Sequence, residues 1–347
     1  MTDSAPIKID GALIPEGGGP CLLSGTSIAT SEGAVFVEDL SIGTMVLTAS
    51  GESRPVRWLG QRGIDCTRHP NPAAVWPIRI QAGAFAPNRP ARDLWMSIGH
   101  SVLVDGVLIQ AETLVNGATI VQVPRERVEY WHVELDSHDV LLAEGLPTES
   151  YLDVGNRTDF NNGGAYLEAY PDFRPKHDSE TCVPIVKDGP VVQKTKDTLL
   201  ARAAELGHTL TEDADVHVIA DGERIEPVRL AKKRLAFLLP TAYSSIEMRT
   251  RRFIPAQINP AKDDQRSLGI CVGRLQVDGV EVALTDETAF ARGWHLLEGN
   301  ADGPQWRWST GRTPLPAGTR LVVIDIGHQG RCYWEEHQKS TGIAALG

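Results

Sequence analysis

The 347-residue sequence lacks several features that would assign it to a well-marked class of protein. Its five cysteines, at positions 21, 66, 182, 271 and 332, include no CxxC pair, which argues against a disulfide scaffold or a zinc ribbon. No stretch approaches the ~20 apolar residues that span a bilayer, and residues 1–20 lack the basic start and apolar run of a secretory signal. Localisation therefore stays open between the cytoplasm and export by a route that needs no such signal.

The sequence also has no feature that indicates nucleotide binding or nucleic-acid binding. No GxGxxG, P-loop or βαβ alternation occurs, which sets aside nucleotide-binding α/β enzymes, and we expect no cofactor. The formal net charge is −11, from 34 basic and 45 acidic side chains. A nucleic-acid partner would require a strongly basic face, so we expect none.

The composition, 41% hydrophobic and 23% charged, is that of a soluble globular protein. The length suits two domains. Residues 1–20 end in a glycine- and proline-rich stretch, so we expect a flexible leader there. From Cys21 onward, short apolar segments recur about every ten residues between glycine, proline and serine, which predicts an all-β domain over residues 21–152. Asp105-Gly106, between two β-branched runs, predicts a hairpin turn.

A second part of the chain follows a polar break. Residues 153–190 are rich in Asn, Gly, Asp and Pro, which predicts a linker or tail packing over the first domain. An amphipathic helix is predicted over residues 191–207, and we expect it to pack on the second domain or to join the two. Strand signals return over residues 208–347, with Asp278-Gly279 as a second hairpin turn, and predict a C-terminal β-sandwich of about seven or eight strands. The predicted fold class is mainly β.

Cys21 stands out by its position, because it follows the leader directly and opens the first strand-rich region. A thiol placed there can attack the carbonyl of Pro20 and convert the peptide bond into a thioester. Such a shift requires a base for the thiol, donors for the tetrahedral oxyanion and an acid for the departing amine. The fixed φ of Pro20 constrains how its carbonyl meets the thiol.

The segments that begin at Cys21 resemble the Hedgehog/intein (Hint) domains, specifically bacterial Hint-domain proteins that are not full inteins. Residues 21–30 and 37–47 are similar to the opening cysteine block. Leu94–Val104 is similar to the family's threonine-x-x-histidine motif, with Ser97 in the threonine's place. The resemblance implies that Ser97 holds the scissile amide and that His100 protonates the amine leaving Cys21.

A third stretch, Tyr130–Gly145, is similar to the late intein block. His132 falls where inteins commonly carry an aspartate that assists the first step, and His138 lies in the same stretch. The implied catalytic residues are Cys21, Ser97, His100, His132 and His138. Because His132 and His138 lie six residues apart on predicted strands, they would share a face and could be read as metal ligands. No complementary Cys or carboxylate motif fixes a metal, so we expect no metal site.

Two departures from the family restrict the implied reaction. Inteins end in histidine-asparagine, whereas this chain has Glu149-Ser150-Tyr151, so neither splicing nor release by asparagine cyclisation is expected. Gly60 aligns with the aspartate of sterol-adding Hedgehog relatives, so sterol transfer loses support. What remains is self-cleavage in which the chain's own N-terminal segment is the substrate, and water or a small nucleophile releases residues 1–20.

A rival hypothesis treats the Hint domain as a non-catalytic scaffold and assigns the function to the second domain. Trp294 and Trp306 lie in a strand-turn context where tryptophans can form a sugar-binding platform. Such tryptophans more often cap a sandwich core. The partner would then be a glycan or another protein.

Overall fold

The computed structural model describes residues 19–300, 302–328, 330 and 332–335, so most of the predicted leader, residues 1–18, lies outside the described residues. The chain divides into two compact units, Met1–Leu206 and Gly207–Gly347. Strands account for 37% of the residues and helices for 14%, which confirms the predicted mainly β fold class. None of the helices among the described residues is long and apolar enough to cross a membrane.

The first unit consists of short strands and two α-helices, α1 (Gly163–Ala169) and α2 (Pro190–Glu205). Its strands are β1 (Leu22–Leu23), β2 (Ser27–Thr30), β3 (Gly33–Phe36), β4 (Met45–Leu47), β5 (Ser53–Pro55), β6 (Trp58–Asp65), β7 (Ile78–Ile80), β8 (Leu94–Met96), β9 (Ser101–Val104), β10 (Val107–Gln110), β11 (Ile120–Gln122), β12 (Arg127–Glu134), β13 (Val140–Ala143), β14 (Leu146–Glu149) and β15 (Ile185–Val186).

These strands form two sheets. One has the order β11-β7-β8-β1-β12-β6, and the other follows β15-β10-β9-β14-β13-β2-β4-β5, with β3 paired to β2. Ile80, Leu94 and Val133 of the first sheet join Ile28 and Leu141 of the second in one buried cluster. Both sheets therefore share a hydrophobic core, which stabilises the unit without disulfides.

The shortest strand of the first sheet fixes the position of Cys21. Leu22 on β1 pairs with Met96 of β8 on one side and with Trp131 of β12 on the other. Cys21 precedes this strand, so it enters the sheet between the end of β8 and the buried half of β12. The β12–β6 ladder runs over eight residue pairs, from Arg127–Asp65 to Glu134–Trp58, and gives this region a rigid support.

The predicted hairpin between β9 and β10 is present. Val104 pairs with Val107, and the two turn residues, Asp105 and Gly106, have φ of 47° and 81°. Positive φ at both central positions gives the turn a twist that matches the flanking strands. The Asp-Gly signal therefore located this turn correctly.

Helix α2 packs differently from our expectation. Its bounds, Pro190–Glu205, agree closely with the prediction, but it belongs to the first unit. Its apolar face places Val192 and Leu199 in the core of that unit, and Arg202 Nε donates to the Gly83 carbonyl at 2.9 Å. An amphipathic pattern shows which face of a helix is buried but not which partner buries it.

Residues 153–173 cross the first unit next to Cys21, and we call this segment the strap. It contains a 3₁₀ turn at Arg157–Asp159 and helix α1. Phe160 is 3% exposed and packs in a cluster that also contains Cys21, Trp58 and Tyr151. The strap is therefore part of the packed structure around Cys21.

The second unit is built from thirteen described strands and one short helix, α3 (Pro255–Ile258). The strands are β16 (Leu210–Thr211), β17 (His217–Ala220), β18 (Glu223–Ile225), β19 (Val228–Ala231), β20 (Arg234–Leu238), β21 (Ile246–Arg249), β22 (Cys271–Val277), β23 (Val280–Val282), β24 (Glu298–Gly299), β25 (Gln305–Trp308), β26 (Arg312–Pro314), β27 (Leu321–Ile326) and β28 (Tyr333–Trp334).

Two of its sheets pack face to face. One has the order β18-β17-β21-β26, and the other has the order β19-β20-β27-β22-β25-β24, with β23 paired to β22. Val218 and Met248 from the first meet Phe237, Val272 and Ile324 from the second in one core. The unit has more strands than the seven or eight expected, because edge strands of two or three residues are too short to show alternation.

Candidate functional site

The peptide bond between Pro20 and Cys21 is held by one hydroxyl group. The Cys21 N–H donates to Ser97 Oγ at 2.9 Å, and the same hydroxyl donates to the Gly19 carbonyl oxygen at 3.4 Å. The Ser97 N–H also donates to the Cys21 carbonyl oxygen at 2.8 Å. Ser97, which directly follows β8, thus contacts the backbone on both sides of Pro20.

The Cys21 thiol lies in an apolar, largely closed environment. Its residue is 3% exposed and packs with Cys66, Tyr130 and Tyr151. Burial raises the pKa of this thiol far above its usual value, and the positive charge of Arg62 opposes that rise only partly. At neutral pH the sulfur is therefore a protonated thiol, and any attack by it requires a nearby base.

His100 provides an imidazole that is uncharged, as the Cys21 thiol is. It follows Ser97 in a tight turn, with its N–H donating to the Ser97 carbonyl oxygen at 3.2 Å. The side chain is fully buried, and neither ring nitrogen has a hydrogen-bond partner. Burial lowers the pKa of His100 to about 4, against the raising effects of Glu149 and of the Cys21 backbone. His100 is therefore a neutral imidazole beside the Cys21 backbone, with both nitrogens available.

His132 packs directly against His100. It lies on β12, is fully buried, and its ring centroid is 5.2 Å from that of His100 and 5.1 Å from that of Tyr151. Its Nδ1 accepts from the Val133 N–H at 3.2 Å, whereas its Nε2 has no partner. Burial lowers its pKa, and the neighbouring His100 and His138 lower it further. Two neutral imidazoles thus stand side by side.

His138 occupies a different position from the one expected. It lies in the turn between β12 and β13, so the expectation that it shares a strand face with His132 is wrong. Its Nδ1 accepts from the Cys182 N–H at 3.1 Å, and its Nε2 lies 3.7 Å from Glu149 Oε2. Glu149 Oε1 in turn accepts from the Ser101 N–H at 2.6 Å.

The structure thus gathers Cys21, Ser97, His100 and His132 at one place and sets His138 beside Glu149 at its edge. Within the described ranges, no group of three or more His, Cys, Asp or Glu side chains is arranged to hold a metal ion. The chemistry this arrangement can support is proton transfer and acyl transfer at the bond between Pro20 and Cys21.

Sequence reasoning missed the strap as a part of this site. Asn156 is 7% exposed, and its Oδ1 accepts from the Tyr151 hydroxyl at 2.8 Å. Its Nδ2 lies 2.6 Å from the point that a Cβ on Gly19 would occupy. The sequence of the strap shows no hydrophobic periodicity. The feature that could have indicated a packed segment is its group of aromatic residues among polar ones, Phe160, Tyr166, Tyr170 and Phe173.

A buried arginine fixes the strap. Arg157 is 1% exposed; its Nε donates to Asp153 Oδ2 at 2.6 Å, and one terminal nitrogen lies 2.8 Å from both oxygens of Glu134. Its guanidinium carbon also lies 4.2 Å from the ring centroid of Trp58 and 4.0 Å from that of Tyr166. Paired carboxylates and aromatic faces together compensate for burying this charge.

The strap also fills the space beside Gly60. A Cβ on Gly60 would lie 2.6 Å from Phe160 Cδ1 and 2.7 Å from Trp58 Cη2. No side chain fits there without displacing these rings. The family resemblance in the sequence predicts that this position corresponds to the aspartate of sterol-adding Hedgehog domains.

The tryptophans singled out in the second unit are half-buried. The ring of Trp294 packs edge-on against Phe290 at 5.0 Å, and Trp306 Nε1 donates to Glu298 Oε2 at 3.3 Å. Trp308, on the same strand as Trp306, is 9% exposed. Both candidate platform residues therefore contribute to the packing of the sandwich.

The fold and the site define a β-rich domain built around a buried cysteine, serine and histidine. Residues 20–155 match the model of the Hint domain family, so this part of the chain is a Hint domain. No curated protein matches the sequence significantly.

Solved structures of inteins are similar over this part of the chain. The MchDnaB-1 intein is 18% identical over 38% of this chain and 99% of its own, with a TM-score of 0.28. The bacterial intein-like domain from Clostridium thermocellum is 14% identical, over 38% and 98%, with a TM-score of 0.28. The DnaB intein from Synechocystis sp. PCC 6803 is 12% identical, over 38% and 99%, with a TM-score of 0.28.

Proposed function

We propose that this protein cleaves itself once, by an acyl shift from nitrogen to sulfur at the bond between Pro20 and Cys21. The observation that carries the proposal is the bridge made by Ser97 Oγ between the Cys21 N–H and the Gly19 carbonyl. Pro20 has no N–H, so its nitrogen offers no competing donor inside this bridge. The serine thus orients the scissile bond from both sides.

The first step moves one proton and one acyl group within the chain. His100 takes the thiol proton, the sulfur of Cys21 attacks the Pro20 carbonyl carbon, and a tetrahedral oxyanion forms. The bond from that carbon to the Cys21 nitrogen then breaks, and His100 delivers the proton to the departing amine. The product is a thioester, with an amino group on Cys21, and no proton is exchanged with solvent.

The buried environment suits this internal transfer. A neutral imidazole both accepts and donates a proton, whereas a protonated one does not accept. Because burial keeps His100 and His132 neutral, His100 can act as a carrier between sulfur and nitrogen. Water or another small nucleophile then attacks the thioester, restores the thiol and releases residues 1–20 with a carboxylate or an acyl group at Pro20.

Intact-mass spectrometry of the purified full-length protein tests the proposal. Incubation with hydroxylamine should convert the chain into residues 21–347 and a hydroxamate of residues 1–20. Cys21→Ala should abolish both products. Cys271→Ala is the matched control, because Cys271 is also a buried free thiol but lies in the second unit rather than in the unit that contains Cys21, and it should leave cleavage unchanged. Persistence of the intact mass in the wild-type protein would refute the proposal.

A ligand-binding role for the second unit is the second candidate. It is favoured by a cavity of about 470 Å³ whose lining includes Asp213, Glu226, Trp308 and Tyr333. A glycan array probed with the full-length protein and with Asp213→Asn and Glu226→Gln variants, which change two residues of the cavity lining, tests it. Binding that depends on these residues, with a chemically silent Cys21, would favour this candidate over self-cleavage.

A further inference from the structure

Gly19, the residue before Pro20, is enclosed from two sides. Ser97 Oγ contacts its carbonyl oxygen at 3.4 Å. On the other side, a Cβ added to Gly19 would lie 2.6 Å from Asn156 Nδ2 and 4.0 Å from Phe160 Cζ. Contacts shorter than van der Waals distance force neighbouring atoms to move. A side chain at this Cα would therefore have to displace the Asn156 amide.

The restriction at this Cα is steric. What opposes a side chain is the Asn156 amide alone at close range. Removing that amide should therefore remove the restriction.

The side chain and backbone of Asn156 are held in place by hydrogen bonds. Its Oδ1 accepts from the Tyr151 hydroxyl at 2.8 Å, and its carbonyl oxygen accepts from the Asp159 N–H at 3.0 Å. The next residue, Arg157, is 1% exposed and paired with both Asp153 and Glu134. A buried ion network thus holds the backbone that carries Asn156.

We propose that Asn156 is the specificity determinant of the self-cleavage reaction, which admits only glycine at the second residue before Cys21. The inference rests on the proposed function. A side chain at position 19 would push Gly19 away from Asn156 and break the bridge through Ser97, so the hydroxyl would no longer hold the bond between Pro20 and Cys21. Asn156 acts on the reaction through the position of Gly19 and is a positioning residue.

A double-mutant cycle in the full-length protein tests the proposal. Gly19→Ala should lower the rate of hydroxylamine cleavage about tenfold or more, as overpacking of one methyl group implies. Asn156→Ala opens the required space, so Gly19→Ala in that background should change the rate by less than about threefold. Tyr151→Phe, which removes only the hydrogen bond to Asn156, separates the loss of that bond from the loss of the amide.

A second readout does not depend on cleavage. The rate at which iodoacetamide alkylates Cys21, measured by peptide mass spectrometry, reports how firmly leader and strap cover the thiol. Gly19→Ala should accelerate alkylation of Cys21 in the wild-type background but not further in Asn156→Ala. Gly164→Ala is the matched control on the strap, since nothing lies within 4 Å of a Cβ there, and it should change neither readout.

The outcomes separate the two hypotheses. If wild-type protein cleaves and Gly19→Ala has no effect, or the same effect in both backgrounds, the specificity inference is overturned while self-cleavage stands. If wild-type protein does not cleave, the proposed function fails. The alkylation cycle then still decides whether Asn156 excludes a side chain at position 19.

Discussion

Acid should destabilise the first unit through His100. Burial excludes the imidazolium from the folded state and lowers the pKa of His100 from 6.5 to about 4. The unfolded chain therefore binds an extra proton below pH 6.5. The contribution of His100 to the free energy of unfolding is therefore fully present above pH 6.5. It declines as the pH falls from 6.5 to about 4 and is lost below about pH 4.

The size of the effect follows from the two pKa values. Between pH 7 and pH 5, a group moved from 6.5 to about 4 should lower the free energy of unfolding by about 2 kcal/mol. His132 acts in the same direction, because its pKa is also lowered by burial. The pKa of about 4 already includes the effect of Glu149, which faces this cluster and raises the pKa of His100.

Hydrogen exchange of the β12 amides is a suitable measurement, because β12 lies inside its sheet between β1 and β6 and should exchange by unfolding of the unit. After correction for intrinsic exchange rates, His100→Gln should lose about 2 kcal/mol of the pH dependence seen in wild type. His177→Gln, at an exposed histidine of the same unit, should retain it. Equal pH dependence in wild type and His100→Gln would refute the assignment of a neutral buried imidazole.

Three further predictions concern the strap and the reaction. Arg157→Met should lower the free energy of unfolding by about 3–5 kcal/mol, measured by guanidinium denaturation, because it leaves buried carboxylates without a counter-charge. Gly163→Ala should detach the strap and accelerate its proteolysis, since a Cβ there would lie 1.8 Å from the Arg157 carbonyl oxygen, whereas Gly164→Ala should not. The cleavage rate should be nearly independent of pH above the His100 pKa of about 4; a tenfold rise per pH unit would instead indicate attack by a thiolate formed in equilibrium with solvent.

The sequence predicted the elements whose signals are local. The strands Cys271–Val277 and Leu321–Ile326 lie in the region where strand signals return, because alternating β-branched residues mark a half-buried strand within a few positions. The Asp-Gly turns were also predicted correctly. At the second turn, Asp278-Gly279, the φ of Asp278 is 51°. The three motif blocks brought Cys21, Ser97 and His100 together through a family resemblance, and their catalytic roles remain predictions.

The features that were missed depend on contacts far apart in the chain. Arg157 is anchored to Glu134, and Asn156 meets Gly19. A segment held by such single contacts needs no periodic apolar face, so residues 153–190 were predicted as a linker or a tail packing over the first domain, without a role at Cys21. The docking of α2 on the first unit was missed for a related reason, because an amphipathic helix does not specify its partner.

Burial opposes and assists the proposed reaction at different steps. It raises the pKa of the Cys21 thiol and lowers that of His100, so the charged pair of thiolate and imidazolium is unfavourable at rest. The acyl shift needs that pair only transiently, because its net result is the transfer of one proton from sulfur to nitrogen. Resolution of the thioester is different, since water must reach a bond to the buried Cys21 sulfur, beside which Phe160 of the strap packs. Variants that loosen the strap, such as Arg157→Met, should therefore accelerate the second step more than the first.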